Sequence, residues 1–150
     1  MKILISACLL GRPCRYDGKS VPCKEALALA KIIEAVPFCP EAAGGLETPR
    51  TPAERQGSAV VTKDGRDVTK EYVLGAEKAL EAAEKYDCKI AVLKERSPSC
   101  GCGKIYDGTF SGTLIQGDGV TAQYLKNAGV NVIGESQIKQ LLQELSASQK

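Results

Sequence analysis

Short apolar runs recur along the chain at intervals. Lys2–Ala7 is rich in β-branched residues and apolar on both faces, which is typical of a buried strand in a parallel sheet. Similar runs predict further strands at Ala35–Phe38, Lys89–Leu93 and Val130–Ile133. The pattern therefore predicts a sheet whose strands are spread over the whole chain.

Between these predicted strands, apolar residues recur at the spacing of an α-helix. A first apolar stripe at helical spacing is formed by Leu29, Ile32, Ile33 and Val36. A second stripe is formed by Val73, Ala76, Leu80 and Ala83. The predicted helices run from Lys24 to Ala35, from an N-cap at Thr69 to Tyr86, from Thr121 to Ala128, and onward from an N-cap at Ser136.

Strands that alternate with helices indicate one domain over residues 1–150. Parallel strands need crossover connections, so we expect a single three-layer, Rossmann-like α/β domain with a mainly parallel sheet. A hairpin is predicted where Ala59–Thr62 meets an Asp64-Gly65 turn, and an irregular strand pair is predicted around Ile105–Ile115. The polar tail 146–150 is expected to fray.

Long segments rich in glycine and proline follow three of the predicted strands. They are Leu10–Cys23, Cys39–Gln56 and Ser97–Gly119. Each is expected to be a loop, and Cys8, Cys39 and Cys100 lie at or near the loop beginnings. Ligands of open α/β sheets bind beyond the carboxyl ends of strands, so the loops would bring these thiols to one edge.

Composition narrows the class of protein. The 150 residues suit one domain, and the hydrophobic (43%) and charged (25%) fractions argue against disorder. The net charge of +2 is too small to indicate a nucleic-acid-binding protein. No apolar run approaches the roughly 18 residues of a transmembrane helix, and the segment before Cys8 is too short for a signal peptide. We therefore expect a cytoplasmic protein with no membrane partner.

The chain has no histidine and 7 cysteines, which changes the available chemistry. Without imidazole, proton transfer must fall to carboxylates, Lys, Tyr or Cys. An odd cysteine count without a secretory leader fits a disulfide scaffold poorly. Converging thiolates favour a soft metal or an iron-sulfur cluster, and three ligands leave one iron open, as in catalytic metal sites.

Each cysteine also has a simpler interpretation as a small buried hydrophobic residue. That interpretation suits Cys88 best, because Cys88 lies between a helix and an apolar strand. Cys14, Cys23 and Cys102 stay open between the two interpretations. The Cys100-Gly101-Cys102 spacing also allows a redox dithiol or part of a zinc site, although the C-x-x-C spacing of redox dithiols is absent.

Several motifs spread over nearly the whole chain carry a family resemblance. They are Ser6-Ala7-Cys8-Leu9-Leu10-Gly11, Arg15-Tyr16-Asp17-Gly18, Cys39-Pro40-Glu41 with Gly44-Gly45-Leu46, Thr48-Pro49-Arg50, Ser97-Pro98-Ser99-Cys100-Gly101, and Tyr106-Asp107-Gly108-Thr109-Phe110. Together they resemble a bacterial domain family that includes thiouracil desulfidases, the TudS-like family. The resemblance extends to about Glu135.

The resemblance implies a cofactor and a reaction. The motif match places a 4Fe-4S iron-sulfur cluster on Cys8, Cys39 and Cys100, with one iron not bound by protein. It implies conversion of a 2-thiouracil-type thiocarbonyl to the oxo form, with release of sulfide and no net redox change. Cys14 and Cys102 do not match family ligands. The implied partner is a small thiolated pyrimidine, as free base or nucleoside, or the 2-thiouridine of a tRNA.

Two polar residues near the matched cysteines are candidate proton carriers. Attacking water must lose a proton, and Glu41, two residues beyond Cys39, is predicted to be the general base or acid. Ser97, three residues before Cys100, is predicted to hydrogen-bond the base or relay a proton. The simpler alternatives are a carboxylate that is solvated or paired with Arg50, and a turn-forming serine.

Other functions stay open beside the desulfidase. One is a module that binds a cluster or metal for storage or sensing, without catalysis. Another is an iron-sulfur hydro-lyase, in which an open iron binds the hydroxyl and carboxyl groups of an organic acid. A third is a thiol redox protein. Release of sulfide from a thiolated base separates the desulfidase from all of them.

Overall fold

The structure, a computed structural model, describes residues 1–148. The strands are β1 (Lys2–Ser6), β2 (Glu34–Phe38), β3 (Ala53–Gln56), β4 (Ala59–Thr62), β5 (Ile90–Leu93), β6 (Lys104–Tyr106), β7 (Leu114–Gln116) and β8 (Asn131–Gly134). The helices are α1 (Lys24–Leu29), α2 (Pro40–Ala43), α3 (Thr69–Lys85), α4 (Val120–Asn127) and α5 (Ile138–Ser148). Short 3₁₀ turns occupy Ala7–Leu10 and Glu135–Gln137.

A parallel sheet with the strand order β2-β1-β5-β8 forms the centre of the fold. The inner strand β1 pairs on both sides, so that Ile3 lies opposite Ala35 in β2 and opposite Ile90 in β5. Ile3 to Ser6 are all buried, which explains the uninterrupted apolar run in the sequence. The carboxyl ends of β2, β1 and β5 are therefore neighbours.

Helices cover both faces of this sheet. On one face, Leu4 and Leu93 share a hydrophobic cluster with Ala79 of α3 and Leu125 of α4. The opposite face packs against α1 and α5, in a cluster that includes Ile3, Ile5, Val92, Leu29 and Ile138. The prediction of a three-layer α/β domain with a mainly parallel sheet is confirmed.

The segment predicted as one loop, Cys39–Gln56, contains two short elements. Pro40 occupies the first turn of α2, where its missing N–H leaves no hydrogen bond unmade. The end of the segment forms β3 directly after Pro52. Both elements are four residues long, too short for a hydrophobic period to indicate them.

Strand β4 takes part in the predicted hairpin turn and also pairs with a second segment. At the Asp64-Gly65 turn the Thr62 N–H donates to the Arg66 carbonyl at 2.8 Å and an isolated bridge joins Val61 to Asp67, so the turn is present although its return segment is not a strand. The strand partner of β4 is β3, residues 53–56, which the sequence did not indicate. The predicted pair of strands around Ile105–Ile115 is confirmed as β6 and β7.

Three helix predictions need correction. The helix predicted to reach Ala35 ends at Leu29, because the apolar residues after it divide between a turn, where Ile32 is exposed, and β2. Thr69 is the first residue of α3, and the Asp67 carboxylate accepts its backbone N–H at 2.9 Å. Ser136 lies inside a 3₁₀ turn and donates to Glu95 instead of capping α5.

The predicted frayed tail is partly helical. Helix α5 continues to Ser148, so that 146–148 belong to it, whereas 149–150 lie outside the described residues. Within the described part of the chain, every helix is too short or too polar to cross a bilayer.

Two glycines let α2 lie directly on α3. A Cβ on Gly75 in α3 would overlap the carbonyl oxygen of Pro40, and a Cβ on Gly44 would overlap the carbonyl oxygen of Glu71. Both glycines have negative φ, so neither is needed for a left-handed turn. They are needed because the two helix backbones lie too close together for a side chain. This contact fixes the position of α2, which begins directly after Cys39.

Replacing Gly75 with alanine is expected to destabilise the fold. Glycine to alanine in a helix interior usually stabilises by about 1 kcal/mol. Here the added methyl overlaps backbone, which cannot move away as a side chain can, so we expect a net loss of roughly 1–3 kcal/mol. Urea unfolding measures the change, with the exposed neighbour Leu74→Ala as control. A more stable Gly75→Ala protein would contradict the close packing of α2 on α3.

Candidate active site

A cavity of about 510 Å³ opens beyond the carboxyl ends of β2, β1 and β5. Every site residue predicted from the sequence lines it, namely Cys8, Cys39, Cys100, Glu41 and Ser97. Parallel strands that end side by side bring together residues far apart in sequence. The structure thus assembles these residues around one space.

The three predicted ligand cysteines have different local supports. Cys8 lies in the 3₁₀ turn after β1 and Cys39 directly precedes α2. Cys100 follows β5 in a turn closed by the N–H of Gly101, which donates to the carbonyl of Ser97 at 2.8 Å. Cys8 and Cys100 are buried and Cys39 is half-buried. These supports hold the thiols on the cavity wall independently of one another.

Cys14 is a fourth thiol on the cavity wall. The Cys39 thiol donates to the Cys14 carbonyl at 3.7 Å, and the side chain of Cys14 is within hydrogen-bonding contact of the thiols of Cys39 and Cys8. The sequence left Cys14 undecided. The available signal was its position in the same long loop that follows Cys8.

The remaining cysteines lie away from the cavity lining. Cys23 donates to the Glu25 carboxylate at 3.4 Å. Cys102 donates to the Val132 carbonyl at 3.4 Å, and Cys88 is buried in the core against the sheet. Cys88 is thus a buried core residue, whereas Cys23 and Cys102 are half-buried thiols with local hydrogen-bond partners.

Burial and a thiol–thiol hydrogen bond raise the pKa of two of the cavity cysteines, which favours their protonated form. Burial raises the pKa of Cys100 to about 12. The hydrogen bond with Cys14, followed by burial, raises the pKa of Cys39 far above the usual range of a thiol. Metals bind thiolates, so a metal that took up these residues would displace their protons.

The donor set fits an iron-sulfur cluster better than a single ion. Within residues 1–148, no three Cys, Asp or Glu side chains converge as the ligands of one metal ion. In a cluster each cysteine binds a different iron, so the thiols surround a volume instead of meeting at a point. Soft thiols that line one cavity without meeting at a single point are compatible with that arrangement.

The Glu41 carboxylate has its two oxygens in different environments. Oε1 accepts from Arg50 Nε at 3.2 Å and from the Tyr72 hydroxyl at 2.8 Å. Oε2 accepts from the Ser97 hydroxyl at 3.4 Å. Side-chain exposure is 16% for Glu41 and 8% for Arg50, so this ion pair is shielded from bulk water. Oε1 is therefore engaged by strong donors, whereas Oε2 has one weak donor.

Arg50 ties two of the site loops together. Besides Glu41, its guanidinium donates to the Glu47 carbonyl at 3.0 Å, to Thr48 Oγ1 at 2.9 Å and to the Cys14 carbonyl at 2.9 Å. The pairing of Glu41 with Arg50 was the simpler alternative weighed from the sequence, and the structure contains it. Pairing does not remove Glu41 from the cavity wall.

Tyr72 is a site residue that sequence reasoning missed. It is 2% exposed, and its ring packs in a cluster with Val60 and Ala76. Burial, followed by the charge of Glu41, raises the pKa of its hydroxyl far above the usual range, so the hydroxyl remains a donor. The helical pattern around Val73 gave no signal that the preceding tyrosine bonds to a carboxylate on α2.

Ser97 shapes a turn and also contacts the Glu41 carboxylate. Its hydroxyl oxygen accepts the backbone N–H groups of Ser99 and Cys100, each at 3.1 Å, which makes it a turn-forming serine. The same hydroxyl donates to Glu41 Oε2. Ser97 therefore shapes the turn that carries Cys100 and also joins that turn to the carboxylate.

Comparison with known proteins then decides the family. Residues 3–137 match the 2-thiouracil desulfurase family. The chain belongs to this family. The resemblance stated from the sequence motifs, and with it the prediction that the chain is an enzyme, is thereby confirmed.

Two relatives extend this result. The uncharacterized protein YbbK of Bacillus subtilis (strain 168) is 45% identical, in an alignment that covers 93% of this chain and 99% of YbbK. A solved structure of TudS, a 4Fe-4S-dependent thiouracil desulfidase, is 49% identical and superposes with a TM-score of 0.90 over 97% of this chain and 98% of TudS. This family member and TudS therefore share one fold along almost their whole length.

Proposed function

We propose that this protein replaces the sulfur of a 2-thiouracil-type thiocarbonyl with oxygen and releases sulfide. The reaction adds water across the carbon–sulfur bond and gives the oxo pyrimidine and hydrogen sulfide, so that electrons and atoms balance without a redox partner. One observation carries the proposal: Cys8, Cys39 and Cys100 line the same cavity as the Glu41–Ser97 pair. Family membership and the similarity to TudS supply the chemical class of the substrate.

Cys8, Cys39 and Cys100 would hold a 4Fe-4S cluster at this cavity. Three ligands leave one iron without a protein ligand, and when bound the cluster supplies a Lewis acid suited to a soft thiocarbonyl sulfur. The support for the cofactor is the thiol-only donor set of a chain without histidine, together with the cluster dependence of TudS.

Glu41 is the group that moves the proton. Oε1 is occupied by the donors Arg50 and Tyr72, so Oε2 is the oxygen that can accept a proton from attacking water and return it to the departing sulfur. Ser97 donates to Oε2 and can pass the proton or bond the pyrimidine. Arg50 and Tyr72 act through Glu41 by fixing its orientation.

Sulfide release is the direct test of this function. The anaerobically purified protein with its cluster is expected to convert 2-thiouracil, a thiouridine nucleoside or 2-thiouridine in tRNA to the oxo compound without any electron donor. A sulfide assay and chromatography of the three substrates in parallel measure the conversion and identify the substrate form.

Two variants serve as controls. The Cys100→Ser substitution removes one proposed ligand, so this variant should release no sulfide. Cys88→Ser should behave as the unmodified chain, because Cys88 is a core residue. A cluster-containing protein that releases no sulfide from any of the three forms would point to storage, sensing or a hydro-lyase and would refute the proposal.

A further inference from the structure

Phe110 occupies an unusual position on the cavity wall. It is half-buried, and it belongs to a motif, Tyr106 to Phe110, for which the proposed chemistry gives no use. Its backbone has φ of 57°, in the left-handed region that bulky side chains rarely adopt. A strained backbone of this kind persists where its surroundings force it, and such residues cluster at ligand clamps.

The Phe110 side chain lies outside the hydrophobic core. Across the part of the chain that is described, Phe110 belongs to none of the three hydrophobic clusters. Of the other aromatic residues on the wall, Phe38 packs against the core, Tyr72 bonds to the carboxylate, and Tyr106 is a residue of β6. Tyr16 also lines the cavity, but it is 42% exposed and the Arg15 guanidinium lies over its ring, 5.6 Å from the ring centre. An apolar side chain at a cavity wall that joins no core cluster is available to a ligand.

The loop that carries Phe110 is clamped onto β3. Glu54 Oε1 accepts the backbone N–H of Gly108 at 3.0 Å and that of Phe110 at 3.1 Å. The Gln56 amide donates to the Gly108 carbonyl at 2.9 Å, and a Cβ on Gly108 would collide with Gln56. Glu54 itself lines the cavity, so one carboxylate holds the strained backbone at the edge of the site.

We infer that Phe110 is the platform on which the pyrimidine ring of the substrate stacks. The inference rests on the proposed function and specifies how the site selects an aromatic ring. A planar thiolated pyrimidine offers a π-face to the ring of Phe110, and stacking leaves the sulfur and the polar edge of the base free to point elsewhere. Phe110 binds the ring and takes no part in proton transfer.

Kinetics of Phe110 variants test the inference. Phe110→Ala is expected to raise KM for the thiolated pyrimidine roughly ten- to hundredfold, the range of base–aromatic stacking, with kcat little changed. Stacking acts on substrate and transition state alike, which explains the split between KM and kcat. Phe110→Tyr keeps an aromatic face and should retain the KM of the unmodified chain.

Matched variants separate stacking from damage to the loop. Ile115→Ala truncates an exposed side chain in β7 of the same hairpin and should leave KM and kcat unchanged. Phe110→Gly removes the ring and also relieves the positive φ, so it should melt higher than Phe110→Ala while sharing its raised KM. Iron content should be equal in all of these proteins.

A binding measurement keeps the inference testable on its own. Calorimetry with the oxo products uracil and uridine should show binding to the unmodified protein and at least tenfold weaker binding to Phe110→Ala. If the unmodified chain releases no sulfide, the proposed function fails while this measurement still tests Phe110. Unchanged KM and unchanged affinity in Phe110→Ala, or a loss of kcat alone, would overturn the stacking role.

Discussion

Replacing Cys39 with serine is expected to abolish cluster binding and all turnover. Cys39 lies at the start of α2 on the cavity wall, and an iron-sulfur cluster held by three thiolates loses a large part of its binding energy with any one of them. Iron and acid-labile sulfide, measured after anaerobic purification, should fall to background. Cys8→Ser and Cys100→Ser should give the same result.

Cys14 supplies the sharpest control for this experiment. Its thiol contacts those of Cys39 and Cys8 and lines the same cavity, yet it lies outside the proposed ligand set. Cys14→Ser should therefore keep its iron, as should the core variant Cys88→Ser. A Cys14→Ser protein without iron, or a Cys39→Ser protein that retains it, would show that the ligand set is wrong.

Replacing Glu41 with glutamine should lower turnover by roughly 10²–10⁴-fold, the usual contribution of general acid–base catalysis. Glutamine keeps the shape of the side chain and an acceptor for Tyr72, but it cannot take a proton from water. Sulfide release at saturating substrate measures the loss. Iron content should be unchanged, because Glu41 is not a proposed ligand.

The matched control is Glu47→Gln, which makes the same change of charge on an exposed side chain in the segment that follows α2. It should retain full activity. Ser97→Ala should cost less than Glu41→Gln, because the carboxylate keeps its bonds to Arg50 and Tyr72 when the hydroxyl is removed. Near-normal turnover in Glu41→Gln would show that Glu41 takes no part in proton transfer and serves only as a structural partner of Arg50.

The predictable parts of the fold are those that a pattern of apolar residues within one short segment reveals. A strand buried on both faces, such as Lys2–Ser6, shows as a continuous apolar run, and each run in the sequence corresponds to a strand of the sheet. Because parallel strands end at one edge, the residues after them could be assigned to a common site before any coordinates. Cys8, Cys39 and Cys100 follow from this argument.

The parts that were not predictable depend on contacts between distant segments. The pairing of β4 with β3 depends on contacts between two short segments, and four residues carry no measurable hydrophobic period. The bond of Tyr72 to Glu41 requires α2 to lie on α3, which depends on Gly44 and Gly75. A glycine at a close backbone approach looks the same in sequence as a glycine in a turn.

The strand order also fixes when the proposed ligands come together during synthesis. Residues of β1 and β2 leave the ribosome early, but β5, which precedes Cys100, is made only after α3 is complete. Because β5 pairs with β1, Cys100 reaches the sheet edge that carries Cys8 and Cys39 only when this pairing forms. A cluster on the three thiols proposed above would therefore be received after β5 has joined the sheet, unlike the metal of a zinc finger, around which the chain folds.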